Sequence, residues 1–319
     1  MEKALVKNLN LRLNYNASTS TLSLYNRFIH KQIRGHMSKL IQMRNRIQTI
    51  ETIKKVTDVM RIISMSAHSR LKTKQEPLSE YLDALKMLLA KVQLATPSWS
   101  HERLMPTGEN TNPLIVVIGS QKGLCGGFNT QVSKFLQEYL AKNPSAHYHF
   151  TAIGKKPIDY LINNHPDKLI CSFPALTARN FLTIAQELTD LVMMATPAYT
   201  SVTIFSNVFK NFFVQKASVT HLVPFNPAHI SCATMPPTEG YIWDETPNNI
   251  LNTLAVQYIE AQFQHLIFQS LLSEHAARFI SMDNSTRNAN SLLTTTKLEY
   301  NKVRQAKITT EITELTGNF

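Results

Sequence analysis

The segment Gly119–Gly127 comes nearest to a catalytic or ligand-binding motif in this chain. It has the sequence GSQKGLCGG and lies between an apolar run that ends at Ile118 and a predicted helix that begins at about Asn129. Nucleotide-binding loops occupy such positions, but the segment matches neither GxGxxG nor GxxxxGK[ST]. It also lacks the Lys-Ser/Thr pair that binds triphosphate and magnesium. The pattern therefore favours a tight structural turn or an interface loop over a phosphate site.

Other side chains capable of chemistry are isolated. Cys125 would be a nucleophile only beside a histidine and an orienting partner, and the sequence identifies neither. The 11 histidines show no HxxxH or HExxH spacing, and the carboxylates occur singly. Cys125, Cys171 and Cys232 are spaced for neither a disulfide scaffold nor a zinc site, which favours a reducing compartment. We predict no catalytic residue, metal site or cofactor.

Helix-breaking residues divide the chain into three parts. Of the 14 prolines, 13 lie between Pro97 and Pro247, and most of the 9 glycines lie in the same region. Residues 37–76 and 248–316 contain neither residue type. Because glycine and proline both break helices, these two stretches are predicted to be long helices that flank a compact centre.

Apolar periodicity supports both helices. Residues recur at spacings of three and four in each segment: Leu40, Met43, Ile47, Ile50, Ile53, Val56, Met60 and Ile63 in the first, and Leu251, Leu254, Tyr258, Ile259, Phe263, Leu266 and Ile267 in the second. The first pattern resumes after Pro77. Residues 283–291 are polar enough to predict a bend or a short interruption in the second. Two such stripes are most economically buried against each other, as an irregular antiparallel coiled coil.

The centre alternates between strand-like and helix-like segments. The run LIVVI over Leu114–Ile118 predicts a buried parallel strand. Strands are predicted at 148–153, 168–173, 201–209 and 214–223, and helices at 129–140, 158–163 and 176–194, with the last two strands forming a hairpin. We therefore predict an α/β fold with five or six strands, in which a Rossmann-like centre joins a long antiparallel coiled coil.

The charge of the chain is uneven. The net charge is +11, of which +5 lies in the first 36 residues. That segment is either an organellar transit peptide or sequence assigned upstream of a true start at Met37, and the coherent helix after Met37 favours the second interpretation. The predicted parts are a basic extension (1–36), an N-terminal coiled-coil helix (37–96), an α/β base domain (97–247) and a C-terminal coiled-coil helix (248–319). No apolar stretch reaches the 18 residues of a transmembrane helix.

Four regions then resemble the gamma subunit of F-type ATP synthases. They are RIQTIETIKKVTDVM (Arg46–Met60), KGLCGGFN (Lys122–Asn129), the pair Ile204–Phe209 and Val219–Pro224, and the two C-terminal stretches SEHAARFISM (Ser273–Met282) and YNKVRQAKITTEITEL (Tyr300–Leu315). Their order and spacing also agree with that family over about nine-tenths of the chain.

The resemblance implies a function as the central rotor stalk. In the family, the terminal helices thread a ring of three α and three β subunits, and the α/β domain contacts the c-subunit ring and the epsilon subunit. Ion flow turns the c ring, and the asymmetric shaft changes the nucleotide affinity of each β subunit in sequence. The resemblance thus implies a non-catalytic, peripheral membrane subunit on the cytoplasmic side of the cell inner membrane. If residues 1–36 are a transit peptide, the location is the matrix side of the mitochondrial inner membrane.

The resemblance also implies functional residues. Met60 matches the position that faces the β-subunit lever, and a set on the C-terminal helix matches the polar contact with the β ring: Arg304, Gln305, Thr309, Glu311 and Glu314. Gly123, Leu124, Cys125, Gly126 and Gly127 match the glycine loop of the base domain.

Several positions depart from the family pattern. Asp58 and Arg61 stand where the family has Lys and an acid, and Asp283 stands where it has Lys. Further departures are Met65-Ser66-Ala67, Gln121, Arg287 and a shortened C-terminal signature after Glu314. Because several departures reverse a charge, we hypothesise a divergent gamma subunit from a second ATPase operon.

Two other classes of function remain open. An α/β enzyme with coiled-coil arms would bind a ligand near Gly119–Gly127. A nucleic-acid adaptor would use the basic side chains Lys54, Lys55, Arg61 and Arg70, but no aromatic residues are interleaved with them. Neither class explains the four matching regions, so we expect no nucleic-acid partner.

Overall fold

The computed structural model describes residues 19–106, 112–144, 147–225 and 244–317, without the side chains of residues 19–38, 95, 314 and 317. Cys232 and residues 1–18 of the predicted extension lie outside these ranges. The described chain divides into two compact units. The first, the helical unit, comprises Met1–Thr57 and Ser285–Phe319, and the second, the sheet unit, comprises Asp58–Asn284.

Helix α1 spans Thr19–Ala95, a length of 77 residues. It begins well before Met37, where we expected the helix to start. It is also unbroken at Pro77, after which the apolar pattern was expected to resume. Proline removes one backbone hydrogen bond and crowds the preceding turn. The helix persists here because Leu71, Leu82 and Leu85, on both sides of the proline, are buried in the core of the sheet unit.

The centre of the sheet unit alternates strands and helices, as predicted. In chain order the elements are β1 (Pro113–Ile118), α2 (Phe128–Lys142), β2 (His149–Ile153), α3 (Lys155–Asn164), β3 (Leu169–Phe173), α4 (Phe181–Met194), β4 (Ser201–Asn211) and β5 (Val214–Val223). A single 3-10 turn, Pro166–Lys168, precedes β3. Helix α4 begins five residues later than predicted because the side chain of Asn180 accepts hydrogen bonds from the backbone and the hydroxyl of Thr177.

The five described strands form one sheet in the order β3-β2-β1-β4-β5. The first four are parallel, and β5 is antiparallel to β4, which confirms the predicted hairpin. Parallel strands joined by helices are covered on both faces. The order is that of a Rossmann-like sheet whose edge is completed by a hairpin.

Strand β1 is buried on both faces, as its apolar run predicts. Leu114, Val116 and Ile118 pack in a core with side chains of three helices: Leu82, Leu85 and Leu89 of α1, Leu188 of α4, and Phe263 and Phe268 of the C-terminal helix. Ile115 and Val117 face the opposite side and pack against Val132, Leu136 and Leu161 of α2 and α3. The sheet unit is therefore three layers thick.

Helix α5 spans Pro247–Gly317, and its 71 residues run on through positions 283–291. The helix therefore has no interruption there. In the helical unit Thr286 donates a hydrogen bond to the hydroxyl of Thr57 at 2.9 Å, and Ala289 is buried. These contacts with α1 outweigh the poor helix propensity of the polar residues.

The two long helices pair antiparallel within each unit. In the helical unit, Thr57 meets Thr286 and Glu51 forms an ion pair with Lys297 at 2.7 Å. In the sheet unit, Arg61 meets Asp283, and the ring of His68 lies 3.3 Å from the carbonyl of Leu272. The predicted fold class, α/β with long antiparallel terminal helices, is confirmed. Within the described ranges, none of the helices has an apolar stretch long enough to cross a lipid bilayer.

Candidate functional site

The glycine loop follows β1 and is held against the neighbouring loop after β2. The N–H of Gly119 donates to the carbonyl of Ile153 at 2.9 Å. A Cβ atom on Gly119 would lie 2.9 Å from the ring of Pro157, and one on Gly154 would lie 2.4 Å from the carbonyl oxygen of Gly119. Gly154 also has a φ of +95°. The two loops therefore approach so closely that neither glycine leaves room for a side chain.

Asn129, in the first turn of α2, fixes the start of the loop. Its Oδ1 accepts the backbone N–H of Ser120 at 2.9 Å, and its Nδ2 donates to Ser120 Oγ at 2.7 Å and to Cys125 Sγ at 3.2 Å. Asn207 of β4 donates to the carbonyl of Phe128 at 3.2 Å. The loop is thus tied to both the helix that follows it and the adjacent strand.

The middle of the loop adopts the left-handed backbone conformation twice. Leu124 has a φ of 66° and Gly126 a φ of 57°. The conformation costs a residue such as leucine about 1–2 kcal/mol, so the surroundings must hold it. The side chain of Leu124 is 60% exposed. It forms the solvent-facing apex of the loop.

Glu274 and Arg278 of α5 hold the loop from the other side. Arg278 donates from Nη2 to the carbonyl of Lys122 at 3.0 Å and from Nε to the carbonyl of Gly123 at 3.2 Å, and Nη2 also donates to Oε1 of Glu274. The backbone N–H of Gln121 donates to the same carboxylate. We call Glu274, Arg278 and these two carbonyls the loop clamp. It joins the sheet to the C-terminal helix through buried charges.

The electrostatics of the clamp are those of a buried ion pair. Both side chains are only 6% exposed. Burial raises the pKa of Glu274, and the charge and hydrogen bond of Arg278 oppose that shift. Removal of one partner would leave an uncompensated buried charge, so the pair constrains the position of the loop strongly.

Cys125 lies in an apolar, buried environment. It is 2% exposed and packs with Phe128 and Ala277, and burial raises the pKa of its thiol. A nucleophilic cysteine needs the opposite shift. No group of three His, Cys, Asp or Glu side chains that could hold a metal occurs among the described residues. The hydrogen bonds of the glycine loop join it to α2 and α5, as expected of a tight structural turn.

The residues that match the β contact lie in different parts of the chain. Met60 is half-buried on α1 in the sheet unit. Four of the others are exposed on α5 in the helical unit: Arg304, Gln305, Thr309 and Glu311. Lys307 lies 3.3 Å from the carboxylate of Glu311. The side chain of Glu314 lies outside the described residues, and the β contact itself stays a prediction.

Two of the charge-reversed positions contact each other. Arg61 Nη1 lies 3.3 Å from Asp283 Oδ1, and Arg61 Nη2 lies 2.8 Å from Asp58 Oδ1. The reversed charges at these three positions therefore pair with one another within the chain. Sequence reasoning missed this pairing and the loop clamp. The i,i+4 spacing of Glu274 and Arg278 was a signal for the clamp, because such residues face the same side of a helix.

Comparison with known proteins places this geometry in context. The family model described as ATP synthase matches residues 39–319. The chain is 31% identical over 284 residues to the ATP synthase gamma chain of Flavobacterium psychrophilum. This match covers 88% of this chain and 98% of that relative. It is 27% identical over 289 residues to the ATP synthase gamma chain of Chlorobium phaeobacteroides, with 88% and 97% covered.

Solved structures share the fold. A chain of the Euglena gracilis mitochondrial ATP synthase, in a structure of OSCP, F1 and the c-ring, superposes with a TM-score of 0.62 at 14% identity, covering 88% of this chain and 93% of that chain. A chain of the Tetrahymena thermophila mitochondrial ATP synthase central stalk and c-ring gives a TM-score of 0.55 at 22% identity, with 72% and 98% covered.

Proposed function

The chain belongs to the ATP synthase gamma-chain family, and on that premise we propose that it is the central rotor stalk that couples c-ring rotation to ATP synthesis or hydrolysis. The observation that carries the proposal is the family match over residues 39–319, which spans both terminal helices and the sheet. The relatives in the comparison are matched over nearly their whole length, 97% and 98%.

The proposed mechanism is mechanical. Rotation of the c ring turns the shaft, and the shaft presents different faces in turn to three catalytic β subunits. A ligand shifts a conformational equilibrium only if it binds the two states with different affinity. The shaft acts as such a ligand, because an antiparallel pair of unlike helices has no rotational symmetry and each β subunit meets a different surface.

The chain itself is proposed to be non-catalytic. Its glycine loop is occupied by internal contacts, from Asn129 on one side and from Arg278 on the other. We propose three α and three β subunits, the epsilon subunit and the c ring as its partners, and a peripheral position on the membrane that carries the c ring. That membrane is the cell inner membrane on its cytoplasmic side, or the mitochondrial inner membrane on its matrix side.

We place the contact with the β subunits at Met60 and along the exposed side of α5. Arg304 and Gln305 offer charged and amide donors, and Thr309, Glu311 and Glu314 follow on the next turns. Hydrogen bonds to charged groups are stronger and more directional than neutral ones. Such contacts suit a surface that must bind and release three partners in turn.

Co-expression with the cognate α and β subunits tests this function. Residues 37–319 are expected to form a stable complex with ATPase activity, and Arg304→Ala with Gln305→Ala is expected to lower turnover about tenfold, because two polar contacts are lost. The matched control is Asn301→Ala with Lys302→Ala, which removes one amide and one cation from the same exposed helix. Failure to form any complex with cognate subunits would refute the rotor role. Equal turnover in the two double variants would refute the contact alone.

A further inference from the structure

A basic cavity of about 810 Å³ lies in the sheet unit, away from the glycine loop. Its walls come from α1, from the turn before α4 and from α5. The cationic residues on its lining are Arg70, Lys74 and Arg179, and the apolar ones are Ala67, Leu71 and Ala178. The volume lies within the roughly 300–1,000 Å³ of small-molecule sites.

The three cations have no acidic partner. No aspartate or glutamate lines the cavity, and no ion pair joins Arg70, Lys74 or Arg179 to a carboxylate within the described residues. Arg70 uses Nε to donate to the carbonyl of Ser66 at 3.3 Å, which leaves the outer edge of its guanidinium available. Three like charges around one cavity repel each other, so a bound anion would relieve that repulsion.

The side chain of His275 also lines the cavity. Its Nδ1 is buried and has no hydrogen-bond partner among the described residues. Burial and the positive charges of Arg278 and Arg70, together with nearby His68, lower the pKa of His275 to about 4. The ring is therefore neutral at pH 7, and it can donate one hydrogen bond without adding charge.

We propose that this cavity binds a small molecule with at least two phosphoryl groups, such as pyrophosphate or a nucleoside diphosphate. Two phosphoryl groups carry enough negative charge to match three cations, and their oxygens accept the forked hydrogen bonds that arginine donates. The apolar lining residues Ala67, Leu71 and Ala178 offer contacts to the less polar part of a nucleotide. The proposal goes beyond the rotor function and does not rest on it.

Calorimetric titration of the full chain with pyrophosphate tests the proposal. Arg179→Gln and Lys74→Gln are each expected to weaken binding about tenfold, because each removes one charge-assisted contact. The control is Lys72→Gln, since Lys72 lies on the same helix but its ammonium is 5.3 Å from the ring centre of Phe209 and does not line the cavity. This control is expected to bind as the unaltered chain does.

Further titrations distinguish the possible ligands. ADP that binds more tightly than pyrophosphate identifies a nucleotide site, and equal affinities identify a site for the phosphoryl groups alone. The carbon and nitrogen NMR signals of the His275 ring should shift on binding, and its pKa should rise in the complex. Absence of binding, or equal loss in Arg179→Gln and Lys72→Gln, would overturn the proposal. Tighter binding of a glutamate-rich peptide would also overturn it and would identify a protein-docking surface.

Discussion

The side chain of Arg278 is the centre of the loop clamp in the sheet unit. It satisfies two loop carbonyls and neutralises Glu274 in a setting where each side chain is 6% exposed. The loop that it holds contains a leucine in the left-handed conformation and a buried thiol. The guanidinium therefore holds the middle of a loop whose start is held by Asn129.

Replacement of Arg278 by methionine should destabilise the chain by about 3–5 kcal/mol, because it leaves the carboxylate of Glu274 buried and unpaired. The double change Glu274→Leu with Arg278→Met should cost less, since no charge remains. Urea unfolding measures both values. Arg304→Met, on the exposed side of α5, is the control and should change the free energy of unfolding by less than about 0.5 kcal/mol. A larger loss in the double variant than in Arg278→Met would contradict the clamp.

His275 makes the stability of the chain depend on pH. Its pKa is lowered from 6.5 to about 4 in the folded state, so the unfolded chain binds the proton more readily between these values. Its contribution to stability is therefore complete above pH 6.5 and is lost as the pH falls towards 4. The loss is at most about 3 kcal/mol. Urea unfolding at pH 7.5 and pH 5 should show a smaller difference for His275→Gln than for the unaltered chain. Other buried histidines contribute equally to both proteins, so an unchanged difference would assign the pH dependence to them.

At the scale of elements, the pairing of α1 with α5 uses local charges to fix the register of the helices. Arg61 lies between Asp58 on its own helix and Asp283 on the other. The Arg61 and Asp283 side chains are 34% and 20% exposed, whereas Lys297 and Glu51 are 50% and 42% exposed. The more buried pair should contribute more, because solvent screens it less.

A double-mutant cycle with Arg61→Met and Asp283→Asn should give a coupling energy of about 1 kcal/mol, measured by urea unfolding. The corresponding cycle on Glu51 and Lys297 should give a smaller coupling energy, because that pair is more exposed to solvent. If the two cycles gave the same value, or if salt abolished both equally, the charge reversal at positions 61 and 283 would have no role in register.

Elements stabilised by interactions between residues close in sequence could be predicted, and features that depend on more distant contacts could not. The LIVVI run, the hairpin and both long helices could be predicted because periodicity and composition are local signals. The continuity of α1 at Pro77, the continuity of α5 over residues 283–291 and the late start of α4 could not. The continuity of both helices depends on contacts between residues far apart in the chain, and the late start of α4 depends on the side-chain bonds of Asn180.

The same distinction applies to the candidate site. The glycine loop was identifiable from its sequence, and the prediction that it is structural depended on what the motif lacked. Its partner Arg278 lies 155 residues beyond Gly123, and no single-sequence pattern connects the two. The basic cavity was also out of reach, since Arg179 and Arg70 come together only through the fold.

At the scale of the whole molecule, the family is identified by long-range order rather than by a catalytic motif. The resemblance to gamma subunits is confirmed by a match that extends over residues 39–319. The charge reversals at Asp58, Arg61 and Asp283 are satisfied within the chain, so altered partners are not needed to explain them. An origin in a second ATPase operon stays a prediction.

The loop clamp also determines when this protein can finish folding during its synthesis. The carbonyl oxygens of Lys122 and Gly123 stay without their guanidinium partner until the ribosome has added Arg278, 155 residues beyond Gly123. Closing so long a loop costs entropy before its contacts form, so the clamp is a late event. Until then Cys125 and Phe128 are not packed against Ala277. Apolar side chains that are exposed in an incompletely folded chain promote aggregation. The glycine loop is therefore held in full only after Arg278 has been synthesised and its helix has packed against the loop.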